Sequence, residues 1–117
     1  MERTRKPPFE TEVVGGIRFL REQNGLPERE FKEAIVPVLK RAVQRAYLAR
    51  IEYADTGTNA VALCLRATGS EEPLVKAIGA VFSPIFGARQ HLDIIFLNED
   101  QERELASVCR PFFESAT

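Results

Sequence analysis

Between residues 46 and 54 the chain alternates: Tyr47, Ala49, Ile51 and Tyr53 fall on one parity, Leu48, Arg50 and Glu52 on the other. A period of two belongs to a strand with side chains on both faces. Residues 60–67 repeat it, with Val61, Leu63 and Leu65 opposed to Ala62, Cys64 and Arg66. The run DTGTN from Asp55 to Asn59 is a turn cluster, so the two strands form a hairpin. Upstream, EVVGGIRFL over residues 12–20 predicts a first strand, with a bulge or close backbone approach at Gly15 and Gly16. After Asn24-Gly25 the period changes. Phe31, Ile35, Val38, Leu39, Ala42 and Val43 recur at steps of three and four. They predict a helix entered at Pro27 and running to about Arg45, with a kink or two abutting helices at Pro37. Leu74, Ile78, Val81 and Ile85 make the stripe of a second helix, capped by Ser70, acidic at Glu71 and Glu72, and closed by Pro84 and Gly87. The segment from Phe82 to Phe86 reads as core filling.

The stretch HLDIIFLNEDQERELASVCRPFF, His91 to Phe113, combines a strand, a helix start and a tail. Leu92, Ile94 and Phe96 alternate with Asp93, Ile95 and Leu97, a strand apolar on both sides. Asn98 and Gln101 have the spacing of a capping box, and Glu99 and Asp100 suit the positive end of a helix. Leu105, Val108, Cys109 and Phe112 give this third helix an apolar stripe that Pro111 ends. The order strand, helix, strand, strand, helix, strand, helix predicts an α+β fold. The expectation is a split βαβ (ferredoxin-like) antiparallel sheet with the first two helices on one face. Residues 1–11 are expected as a flexible arm and 12–117 as a single domain.

The sheet's second face then becomes the informative feature. With Tyr47, Ile51, Tyr53, Val61, Leu63, Leu65, Leu92, Ile94 and Phe96 toward the two main helices, the open face carries Leu48, Cys64 and seven candidate interaction residues. These are Arg50, Glu52, Arg66, His91, Asp93, Ile95 and Leu97. Large apolar patches are rarely left in water, so the third helix, a protein partner or a second copy is expected to cover them.

Composition narrows the function. The 117 residues are 44% hydrophobic and 28% charged, with sixteen basic and seventeen acidic side chains for a net charge of −1. No global field attracts nucleic acid or an anionic membrane, and the sheet lacks base-stacking aromatics on its open face. Arg3, Arg5 and Lys6 are followed by Pro7 and Pro8, unlike a signal peptide, and no run is long enough to span a bilayer. A cytoplasmic protein is expected. Cys64 and Cys109 match no metal spacing and read as reduced, buried thiols. The single histidine, His91, shares a strand parity with Asp93, which allows a carboxylate-held imidazole, but no nucleophile is tied to it. The chain is therefore expected not to be an enzyme and to hold no metal or cofactor. A binding or interaction module, self-associating or bound to a protein partner, is the first expectation. A small-molecule-binding regulator is the second.

AYLARIEY, VALCLR and the long stretch from His91 to Phe113 resemble the C-terminal domain of the SseB, or enhanced serine sensitivity, protein family of bacteria. The resemblance runs from about Glu12 to Phe113, and its most specific pieces are the strand-to-helix junction His91–Gln101 and the terminal Pro111-Phe112-Phe113. The family more often has Tyr in the last aromatic position. The resemblance implies a bacterial cytosolic domain linked by name to serine sensitivity, with no catalytic residues to transfer.

Overall fold

The computed structural model describes residues 16–68, 71–87 and 91–115. Within them the chain forms β1 (Ile17–Glu22), α1 (Leu26–Leu39), β2 (Val43–Tyr53), β3 (Thr58–Ala67), α2 (Glu71–Phe86), β4 (Asp93–Phe96), α3 (Glu99–Ala106) and β5 (Phe113–Glu114). The expected alternation of strands and helices is present, in a mixed α+β fold. The sheet runs β1-β2-β3-β4, which differs from the split βαβ arrangement, and β4 lies parallel to β3, so the wholly antiparallel sheet is corrected. The reason lies in the connections. The hairpin pairs β2 with β3 directly, and α2 acts as a crossover that brings β4 in parallel. α1 carries the chain beyond the end of β1, so that β2 comes back antiparallel beside it, with Ile17 opposite Tyr53 and Glu22 opposite Ala49.

That geometry leaves the first half of β2 without β1, and the C-terminal tail fills the gap. β5 pairs Glu114 with Arg45 and Phe113 with Ala46. The Phe112 amide donates to the Ala46 carbonyl at 2.9 Å and the Ser115 amide to that of Gln44 at 2.8 Å.

The sheet carries a core on each face. Under α1 and α2 lie Phe31, Ile35, Leu39, Leu48, Leu63, Leu65, Leu74 and Ile78. On the other face, Phe19, Tyr47, Ile51, Cys64, Ile95 and Leu97 are closed over by Leu105 and Cys109. Strands β3 and β4 face as expected, but the faces of β2 are reversed. The hairpin register sets Leu48 opposite Leu63 and Tyr47 opposite Cys64, and directly opposed residues share a face. The strands close on Tyr53 opposite Thr58, with Gly57 in the turn at φ 71°. A loop longer or shorter by one residue would exchange every partner's side.

Element ends shift for local reasons. α1 keeps Pro37 in its last turn and stops at Leu39, so Val43 and Arg45 belong to a strand, not to the helix. α2 passes through Pro84 and ends where Gly87 takes φ 89°. α3 ends at Ala106, with the Ser107 hydroxyl donating to the Glu104 carbonyl at 2.7 Å. Of its expected stripe, Leu105 and Cys109 are buried, Val108 is exposed, and Phe112 packs against the opposite core. The bulge in β1 falls between Phe19 and Arg21. The arm over residues 1–11, Gly15 and the Ser70 cap lie outside the described residues.

Candidate functional site

The seven residues expected on one open face are divided by the β2 register. Arg66, Asp93, Ile95 and Leu97 lie on the α3 side, whereas Arg50 and Glu52 lie on the α1/α2 side. Ile95 and Leu97 are 2% and 8% exposed, sealed inside the chain by α3. Glu52 pairs with Arg18 directly across the strands, at 2.7 Å. Arg66 approaches Glu102 of α3 at 3.5 Å. That leaves Arg50, His91 and Asp93, which the structure gathers at one end of the sheet.

Glu102, which the sequence pattern did not single out, clasps α3 to the sheet. The Arg45 guanidinium reaches it with Nε at 2.5 Å and Nη2 at 3.0 Å, and the Tyr47 hydroxyl donates to it at 2.6 Å. The Arg45 hydrogen bonds hold the Glu102 carboxyl below its ordinary value against the opposing effect of burial. Burial first, then the bond to Glu102, keeps the Tyr47 phenol protonated well above the usual range. This is a partly buried, satisfied ion pair that positions a helix.

A second polar group sits at the far end of the sheet. The Tyr53 hydroxyl donates to Asp93 Oδ2, and His91 Nε2 lies 2.5 Å from Oδ1. Asp93 is buried while the His91 side chain is 78% exposed. A buried carboxylate thus holds the imidazole at the surface in a fixed orientation. Desolvation, then Asp93, pushes the Tyr53 phenol up.

Beside this group, between the start of α1, the end of α2 and the sheet, opens a cleft of about 160 Å³. Its floor is aromatic. Phe82 and Phe86 stack with centroids 4.6 Å apart, and Phe31 meets Phe82 edge-on at 5.7 Å. Leu48, Val61 and Leu92 continue the apolar wall, and Gln23, Glu28, Arg50 and His91 form a polar rim. Arg50 Nε donates to Gln23 Oε1 at 3.2 Å, and Gln23 Nε2 donates to Glu28 Oε2 at 3.2 Å. Glu28 folds back over Gly25, where an added Cβ would lie 2.2 Å from Glu28 Oε1, so any side chain there would make the Glu28 carboxylate move aside. Among the described residues no carboxylate pairs with Arg50. Arg50 and His91 also border a shallower opening over Tyr53, Asn59 and Asp93. Among the described residues no group of His, Cys, Asp and Glu has metal-binding geometry.

Arg50 and His91 were legible as site candidates; Gln23, Glu28, Phe82 and Phe86 were not. Phe82 and Phe86 are half-buried where they line the cleft, and the even parity that puts Arg50 with Leu48 was a signal that pointed there.

In comparison with known proteins, the family model described as the SseB protein C-terminal domain matches residues 27–115. No curated protein and no solved structure matches the chain significantly. The match begins at the second residue of α1 and takes in every later described element, leaving out β1.

Proposed function

The chain belongs to the SseB C-terminal domain family, and from that premise we propose that it is a non-catalytic binding module whose binding site is the aromatic-floored cleft rimmed by Arg50 and His91. The observation that carries this reading is the closure of the sheet's second face by α3. With Ile95 and Leu97 sealed in, this cleft is, among the described residues, a concave surface that combines an aromatic interior with several placed polar groups. Ligand sites characteristically pair an apolar interior with a few placed polar groups. His91 is tethered to a carboxylate whose other oxygen is taken by Tyr53, an arrangement that orients the ring. The small-molecule-binding regulator expected second from the sequence converges on the same place.

Self-association is a second reading, and α2 favours it. From Ala77 to Phe86 the helix carries no charged side chain, and Val75 before it is 36% exposed. Sedimentation at rising concentration separates the two readings, since a dimer through α2 would shift in mass without any small molecule. A fragment screen followed by backbone amide shifts tests the cleft. Shifts clustered at Arg50, Val61, Phe86 and Leu92 support the reading; shifts confined to α3 or the outer face of α2 overturn it.

A further inference from the structure

We propose that the cleft takes a free α-amino acid with an apolar side chain, bound as its zwitterion. This inference rests on the cleft being the binding site. The rim offers one cation and one anion, Arg50 and Glu28, linked through a single amide. Gln23 presents its carbonyl oxygen to Arg50 and its NH₂ to Glu28, each at 3.2 Å. A zwitterion has the same polarity, an acceptor carboxylate on one side of a carbon and a donor ammonium on the other. Two charge-assisted hydrogen bonds of about 2.8 Å, with one α-carbon between them, span a gap comparable to the one the Gln23 amide bridges. Gln23 is thus a neutral placeholder between two charges that a zwitterion would satisfy more strongly.

The floor selects the side chain. An apolar cavity of about 150 Å³ accommodates a benzene ring, and the cleft measures about 160 Å³. A leucine- or phenylalanine-sized group would reach Phe82 and Phe86, whereas a hydroxymethyl group would leave them uncovered. Phe82 and Phe86, stacked on each other and both lining the cleft, offer aromatic surface to an entering side chain. Arg50 binds the carboxylate from the sheet, and Glu28 binds the ammonium from the first turn of α1. A ligand lacking either charge would leave one of them facing an apolar molecule.

The test is a titration of the full chain, followed by amide shifts and calorimetry. The probes are L-phenylalanine, L-leucine, L-serine, N-acetyl-L-phenylalanine and 2-phenylethanol. L-phenylalanine and L-leucine should perturb Val61, Phe86 and Leu92, while the two probes without an ammonium, having lost a charge-assisted bond, and serine, having lost the apolar contact, bind at least about tenfold more weakly. Arg50→Gln and Glu28→Gln should each weaken L-phenylalanine by about tenfold or more, and Gln23→Ala should tighten it by vacating the placeholder's position. The probe series on the unmodified chain decides the matter even where a variant misfolds. If N-acetyl-L-phenylalanine and 2-phenylethanol bind as well as L-phenylalanine, the zwitterion inference fails and the cleft stands as a binding site. If no probe perturbs the cleft, both fail.

Discussion

Asn98 closes the first turn of α3 from both directions. Its side chain accepts from the Gln101 amide at 2.8 Å, and the Gln101 side chain accepts from the Asn98 amide at 2.9 Å. Local spacing was enough to read this, because both partners lie within one turn. Asn98→Ala should lower stability by about 1 kcal/mol in chemical denaturation, with Asn98→Asp close to neutral. Glu102 is the opposite case. Its partners Arg45 and Tyr47 lie on another element, and Arg45 had the spacing of an exposed helical residue, so nothing local announced the pair. Its folded carboxyl is held low by Arg45, so the folded chain takes up that proton later on acidification than the unfolded chain does. The stabilisation is therefore complete above the unfolded glutamate value of about 4.3, and is lost as pH falls from there through the lower folded value. Glu102→Gln should be less stable than the parent at neutral pH. Its melting temperature should fall less steeply below about pH 4.3, so that the two curves converge in acid. Parallel curves would show that Glu102 is not coupled to folding.

At the scale of elements, periodicity identified β2, β3, α1, α2 and β4, but it could not orient β2. Tyr47, Ile51 and Tyr53 look as suited to a helix-covered face as Leu48 does, since both sides of a central strand are buried when the sheet has a core on each face. The orientation is set by the turn closing at Tyr53 and Thr58, whose length composition does not specify. α3 was legible in its start and not in its end, because the stripe through Val108 and Phe112 continues the helical period after the backbone has left the helix. α3 and the segment after it cover Ile95 and Leu97, with Leu105 from the helix and Cys109 from just beyond its end. Ile95→Glu places a charge beneath that cover while leaving the core under α1 and α2 untouched. Limited trypsin digestion should then cut faster at Arg103, with most helical circular dichroism retained. Complete loss of structure would mean that the two cores fold as one unit and that α3 is not separable.

For the whole molecule, the decisive feature is a tail that belongs to both layers. It leaves α3 on one face of the sheet, buries the Cys109 thiol with its pKa pushed up to about 11, passes the edge of β2, and packs Phe112 and Phe113 against the core on the other face. None of this was visible as pattern, because a two-residue strand has no period to detect, and Pro111 suggested a helix stop instead of a crossing. The consequence concerns the sheet's edge. Without β5, Ala46 and Gln44 would present carbonyls with no partner beside an apolar core, the kind of edge that recruits another strand. Removing residues 110–117 should therefore do two things at once. It should destabilise the domain by less than the ~3–5 kcal/mol of a fully buried Phe→Ala for each ring lost, since both phenylalanines are half-buried. It should also make the chain associate through β2. Size-exclusion chromatography over a concentration series would reveal that association. Phe112→Ala with Phe113→Ala in the full-length chain should show the loss of stability alone, because the backbone of β5 remains to occupy the edge. If the double substitution associates as readily as the truncated chain, the aromatic rings and not the strand pairing guard the edge.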